Sequence, residues 1–181
     1  MTDARLNDVP HQFVDQARTL LTTDYLPKIE RCLEQLSDEQ IWWRPNEQSN
    51  SIGNLLLHLC GNARQWIVSG LSGAADARVR QEEFDQREVI SSSDLLVRLR
   101  ETLEDVDRVL REFDTKKLLE NYFIQGSEVT ALEAIFHVTE HFSMHAGQII
   151  LLTKLLTGSD LGFYEFENGV PIQRRRSESS S

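Results

Sequence analysis

The sequence predicts an all-α protein in which four helices form a bundle around one core, with short helical segments in the loops. Four long stretches carry apolar residues at helical spacing, and clusters of Gly, Ser, Pro and Asn separate them. Two of the stretches open on the spacing of a capping box, Ser91 with Asp94 and Thr130 with Glu133. No stretch shows the regular alternation of apolar and polar residues that is typical of strands.

The four helices are expected at about 9–36, 51–69, 91–113 and 130–156. Pro27 falls inside the first of them. Either this helix kinks there, or a second helix begins near Asp24 and has the proline in its first turn. The loops at 37–50 and 71–90 should contain short helical pieces, one of them around 82–86.

The length of 181 residues suits one domain, predicted at 1–170, followed by a disordered tail at 171–181. Acidic residues outnumber basic ones 29 to 19, and this formal net charge of −10 argues against a nucleic-acid partner. Cys32 and Cys60 lie in apolar stretches, which indicates reduced thiols and a cytoplasmic location. The absence of a signal-peptide pattern and of a long apolar run argues against secretion and a membrane span.

Three of the five histidines follow one another at four-residue intervals in the fourth predicted helix, at His137, His141 and His145. Residues four apart share one face of a helix, and this line follows the border of the apolar stripe. Each successive histidine lies closer to the apolar stripe, so His141 and His145 should be more deeply buried and His137 nearer solvent. Because His137 and His145 are about 12 Å apart along the axis, one ion can bind an adjacent pair but not all three.

His58 in the second predicted helix has a matching position at the border of an apolar face, with Asn54, Asn62 and Gln65 on the same side. If the two borders face each other, His58 can meet the deeper histidine pair in a shared cleft. Three neutral imidazoles on one ion would leave a coordination position open, which is typical of a catalytic metal site. Hydrogen-bonded core histidines are the alternative, because the spacing H-x-x-x-H often occurs by chance.

Two segments, NSIGNLLLHLCGNARQWI at 50–67 and HVTEHFSMHAGQIILLTKLL at 137–156, together resemble the DinB-like superfamily, also called the YfiT-like metal-dependent hydrolases. The resemblance covers nearly the whole chain. It implies a four-helix bundle in which His58, His141 and His145 hold a divalent metal, nickel or zinc. Relatives transfer low-molecular-weight thiols to electrophiles, and some isomerise substrates with the thiol as cofactor. Members are often homodimers, which makes a homodimer an expectation for this chain.

Three functions remain open at this point. The first is a thiol-dependent transferase that acts on a small molecule, with the metal holding the thiolate and lowering its pKa. The second is a metal-dependent hydrolase with the same ligands. The third is a non-catalytic metal-binding or stress-related helical protein, an alternative that stays open because the three histidines have no strong general base beside them.

Other polar residues have lesser expected roles. Glu140 is a weak general-base candidate, because its position on the helix points toward solvent. Asn54, Asn62 and Gln65 could contact the ligand histidines or the thiol, since a metal-bound histidine needs its second nitrogen anchored. Arg78, Arg80 and Glu83 indicate an ion-paired loop.

Overall fold

The computed structural model describes residues 8–173, and these form the predicted all-α bundle of four long helices. The first long helix consists of α1 (Val9–Thr19), a π-helical segment (Leu20–Tyr25) and α2 (Leu26–Leu33). Pro27 lies in the first turn of α2, and the residues at both joints keep right-handed helical angles. A new α-helical segment therefore does begin beside Pro27, but the long helix continues through this point without a break. The wider π turn before it accommodates the missing proline N–H.

The second long helix consists of α4 (Ile52–Ala63), a π-helical segment (Arg64–Ser69) and α5 (Gly70–Ser72). The loop before it contains the short helix α3 (Asp38–Trp42), and the loop after it contains α6 (Arg80–Asp85). Both loops thus contain the expected short helical pieces. Capping boxes that begin with Ser37 and Ser51 fix the first turns of α3 and α4.

The third and fourth long helices are α7 (Ser92–Glu112) and α8 (Ala131–Thr157). Their predicted caps are confirmed: Ser91 accepts a hydrogen bond from the Asp94 backbone, and Thr130 forms a complete capping box with Glu133. Gly158 ends α8 in the left-handed region, with φ of 65°, where glycine carries no steric cost.

Two short hairpins, which no alternation in the sequence had indicated, accompany the bundle. Strands β1 (Asn121–Ile124) and β2 (Ser127–Thr130) pair between α7 and α8, and strands β3 (Tyr164–Glu167) and β4 (Val170–Gln173) pair after α8. Residues 171–173 of the predicted disordered tail therefore belong to β4, and the rest of that tail lies outside the described residues. The hairpins are small additions, and the bundle remains the core of the fold.

The core lies between the long helices, where α4 packs against both α7 and α8. Leu56, Leu59, Leu99, Val138 and Phe142 from these three helices are all fully buried. This packing places the edge of α4 that carries His58 against the edge of α8 that carries His141 and His145. Among the described residues, no helix is long and apolar enough to cross a membrane.

Candidate metal centre

Three imidazoles from two helices converge where α4 meets α8. His58 Nε2 lies 3.1 Å from His141 Nε2, and His145 Nε2 lies 3.2 Å from the same atom. All three side chains are buried, with 6–8% of each residue exposed. One nitrogen from each histidine lies within 4.8 Å of the others, so the structure brings together the three residues that the sequence singled out.

The two distances from His141 Nε2 to the other Nε2 atoms fit ligands of one divalent ion. Ligand nitrogens about 2.0–2.1 Å from a zinc ion, at octahedral to tetrahedral angles, lie about 2.8–3.4 Å apart. Burial and the neighbouring His145, His58 and His137 lower the pKa of His141 to about 3. Burial also lowers the pKa of His145, so both imidazoles are neutral at pH 7, as metal binding requires.

The outer nitrogens of two ligand histidines are anchored. His58 Nδ1 donates to Glu83 Oε2 at 2.8 Å, and His145 Nδ1 donates to Gln148 Oε1 at 2.7 Å. These bonds place the proton on Nδ1 and direct the Nε2 lone pairs at the common centre. The side chains therefore have the tautomer and the orientation of metal ligands.

Glu83 reaches His58 from the loop that follows the second long helix. Its carboxylate also binds the Arg78 guanidinium at both oxygens, with Nε–Oε1 at 2.7 Å and Nη2–Oε2 at 2.9 Å. Burial alone would raise the pKa of Glu83, but the hydrogen bonds from Arg78 and His58 outweigh it, so the pKa is lowered. The predicted ion-paired loop is thus confirmed for Arg78 and Glu83, whereas the contact of Glu83 with His58 was not anticipated.

The loop packs closely on α4. A side chain at Gly61 would overlap the Glu83 carboxylate, so the absence of a side chain there allows this approach. Phe84, the next residue in the loop, packs against His58 with the two rings tilted and their centroids 4.7 Å apart.

The polar neighbours of His58 have different contacts from one another. Asn54 completes the α4 capping box and donates to the backbone oxygens of Glu83 at 2.8 Å and Gln86 at 3.2 Å, so it holds the loop rather than a histidine ring. Gln65 accepts from Arg78 Nη1 at 2.8 Å and donates to Asp76 at 2.7 Å. Both residues act on the centre through the loop, and a contact of either with a thiol stays a prediction.

Asn62 contacts the third histidine of α8. Its Nδ2 lies 3.0 Å from His137 Nε2, and the His137 ring stacks on Trp66 at 4.1 Å. Burial lowers the pKa of His137, yet this residue is less buried than His141 and His145, as expected. Glu140 is exposed and forms no hydrogen bond within residues 8–173, which weakens its case as a general base.

Two buried polar atoms beside the centre have no hydrogen-bond partner within the described part of the chain, His141 Nδ1 and Asn62 Oδ1. When Nε2 of His141 binds an ion, its Nδ1 carries a proton and needs an acceptor. The other orphaned atom, Asn62 Oδ1, is an acceptor one turn from His58 on α4 that a water could link to such a proton. Such a pair is expected beside a metal ligand and is unfavourable in an ordinary packed core.

A cavity of about 720 Å³ lies on the far side of the Arg78–Glu83 pair, between α4, the 74–90 loop and α7. None of the three histidines lines it, so it is separate from the metal centre. Cys60 borders this cavity, and burial raises the pKa of both Cys60 and Cys32 to about 11. The two cysteines are free thiols and are protonated at neutral pH, so neither is an activated nucleophile.

The comparison with family models decides the classification. A model described as a protein of unknown function, DUF1572, matches residues 8–167. The chain belongs to this family. No curated protein matches the sequence. The fold of this DUF1572 chain is DinB-like, as the resemblance implied, and solved structures with that fold match most of it.

Three of these structures show the extent of the likeness. A DinB-like protein from Bacillus subtilis is 19% identical with a TM-score of 0.60, over 82% of this chain and 93% of that chain. A DinB-like protein from Bacillus cereus is 18% identical with a TM-score of 0.59, over 74% and 87%. A mycothiol-dependent maleylpyruvate isomerase is 16% identical with a TM-score of 0.58, over 77% and 67%. At these identities the likeness establishes the fold alone.

Proposed function

We propose that this protein is a metal-dependent enzyme that transfers a low-molecular-weight thiol to a small electrophile. The observation that carries the proposal is the convergence of three imidazoles on one centre, with no carboxylate among the candidate ligands. Three protein ligands leave room for an exchangeable ligand on the ion, which is the pattern of catalytic rather than structural sites. One fold neighbour, the mycothiol-dependent isomerase, supports the choice of a thiol.

A bound divalent cation would supply a Lewis acid that lowers the pKa of a thiol at the exchangeable position. The protein's own residues provide the surroundings. Glu83 and Gln148 fix the ring orientations of His58 and His145 through their Nδ1 atoms. Phe84 and the burial of the histidines limit the access of water, which would otherwise compete with the thiol.

The reaction joins the thiol sulfur to an electrophilic carbon. In a substitution, a C–S bond forms as the bond from carbon to the leaving group breaks, and the thiol proton passes to solvent. Because Cys32 and Cys60 both have raised pKa values, the sulfur must come from a small molecule.

The test begins with metal analysis of protein purified without a His-tag, where we expect about one nickel or zinc ion per chain. The loaded protein is then given a low-molecular-weight thiol and an alkyl halide, and loss of free thiol is followed. Acceleration that disappears in His141→Ala supports the proposal. Cleavage of an activated ester without thiol would instead identify a hydrolase with the same ligands. Stoichiometric metal without either activity would leave a non-catalytic metal-binding protein.

A further inference from the structure

The charges around the histidines cancel within the protein. In the part of the chain that the structure describes, Glu83 is the only carboxylate that contacts a ligand histidine. Its negative charge is paired with Arg78, whose guanidinium meets both carboxylate oxygens. The two side chains are only 5% and 11% exposed, so water screens this pair little.

Other charged groups lie farther out. Glu140 on α8 is exposed, and Asp76 is held by Gln65 and by the Arg78 backbone N–H. Arg80 is also exposed and lies over the Phe84 ring at 4.8 Å. None of these groups contacts an imidazole of the three ligands. Glu140 does act on His145 by its charge, but from the exposed side of α8, where water screens it.

A divalent ion held by three neutral imidazoles would therefore keep its full double charge. Without Arg78, the Glu83 carboxylate would offset part of that charge through His58, but the ion pair already occupies both oxygens. An uncompensated charge in a poorly hydrated site is costly, and an anionic ligand removes that cost. Neutral ligands such as water or an amine do not remove that cost.

We propose that Arg78, by neutralising Glu83, makes the exchangeable position of this centre selective for an anion. The anion is one that coordinates a metal through sulfur or oxygen, such as a thiolate or a carboxylate. This inference rests on the metal centre of the proposed function and specifies what that centre binds. Arg78, whose Nη2 also lies 3.2 Å from His58 Nδ1, is then a specificity-determining residue that acts on the bound anion through Glu83 and His58.

The tight packing of the pair supports this role. Gln65 holds the remaining nitrogen of Arg78 at 2.8 Å, and Asn54 holds the Glu83 backbone oxygen at 2.8 Å. The pair also lies directly on Gly61, where a side chain would displace it. The charges of Arg78 and Glu83 are therefore held in fixed positions beside His58. A mobile lysine on the surface could not take the place of Arg78 there.

The test uses protein loaded with Co²⁺, whose visible absorption reports on the ligands. Azide serves as the anionic ligand and imidazole as the neutral one. We expect Arg78→Gln to weaken azide binding by about tenfold or more, because a buried negative charge is left unpaired near the ion. Imidazole binding should change by less than about threefold. Glu83→Gln should have the opposite effect and strengthen azide binding.

Two further variants keep the result interpretable. Arg78→Lys keeps the charge and should retain azide binding, while Arg98→Gln removes an exposed arginine on α7 and should leave it unchanged. Equal weakening of azide and imidazole, or azide binding that ignores Arg78 and Glu83, would overturn the inference while leaving the metal centre intact. Failure of the wild-type protein to bind Co²⁺ would overturn the proposed function and this inference together.

Discussion

A Cβ atom added at Gly61 would lie 1.9 Å from Glu83 Oε1. No two such atoms can be that close, so Gly61→Ala must move the Glu83 carboxylate away from α4. The carboxylate is the end of a flexible side chain, and alanine favours a helix, so the protein should still fold. His58 would lose its anchor, and we expect metal affinity to fall about 10–100-fold, as measured by competition with a chelator.

Gly147 provides a matched control. It lies in α8 two residues after His145, and a Cβ there would meet nothing within 4 Å. Gly147→Ala should keep the metal affinity within about twofold and raise stability by about 0.5–1 kcal/mol, the usual gain for this exchange inside a helix. Equal loss of metal in both variants would show that the Glu83 contact does not matter.

The ligand assignment predicts distinct effects for the four histidines of the second and fourth helices. Replacing His58, His141 or His145 with Ala leaves two protein ligands, so metal content after dialysis should fall to near zero. His137→Ala should keep the metal, because its Nε2 is bonded to Asn62 rather than aimed at the centre. Far-UV circular dichroism checks folding in each variant. Metal loss in His137→Ala with retention in His145→Ala would instead place the site one turn earlier.

The stability of the metal-free protein should depend on pH through His141. Its pKa is about 3 in the folded protein and about 6.5 when unfolded. Below about pH 6.5 the unfolded chain therefore takes up a proton that the folded one does not. Above pH 6.5 the titration of His141 does not affect the free energy of unfolding. As the pH falls from 6.5 toward 3, it lowers that free energy increasingly. Urea midpoints between pH 7.5 and 4 measure it.

Buried carboxylates such as Glu83 also weaken folding in acid, because their pKa is lowered. His141→Gln separates the two effects, since it removes the imidazole and keeps a polar side chain. The variant should lose stability less steeply between pH 6.5 and 4 than the wild type. Parallel curves for the two proteins would exclude His141 as the source.

We propose that the outer face of α8 forms a homodimer. Four large apolar residues are at least half exposed along it: Phe136 59%, Met144 50%, Leu151 58% and Leu155 67%. Gly147 lies on the same face with open space around it, which would let a second helix approach closely. Leu151→Glu should convert a dimer to a monomer in sedimentation, and Val97→Glu on α7 is the control. A wild-type monomer at micromolar concentration would remove the proposal.

Helical periodicity predicted the positions of the three candidate ligand histidines on their helices, and the family resemblance selected these three as a set. His58 and His141 stand at the borders of apolar faces, and two amphipathic helices that bury those faces must bring the borders together. Helix caps at Ser91 and Thr130 were predictable for a similar reason, since they depend on residues three apart.

The anchor of His58 was not predictable, because it depends on the path of a loop. Glu83 lies 25 residues from His58, and contacts such as those of Asn54 with two backbone oxygens hold its loop against α4. Charged loop residues look alike in a sequence whether they face solvent or a site. The π-helical segments were also missed, since one wider turn barely alters a helical pattern.

The hairpin at 164–173 did carry a readable signal. Asn168 and Gly169 have positive φ angles of 52° and 80°, as a tight two-residue turn requires, and this dipeptide is a strong hairpin marker. The four-residue strands on either side are too short to show alternation clearly. The hairpin at 121–130 turns on Gln125 and Gly126, a weaker signal because glutamine seldom adopts a positive φ.

The contact between His58 and His141 joins residues 83 positions apart in the chain. Closing a loop of that length costs conformational entropy, so we expect the centre to assemble late in folding. An ion bound there would then act chiefly on the rate at which the native state opens. Loading with metal should lengthen the lifetime of the folded protein while leaving its refolding rate nearly unchanged.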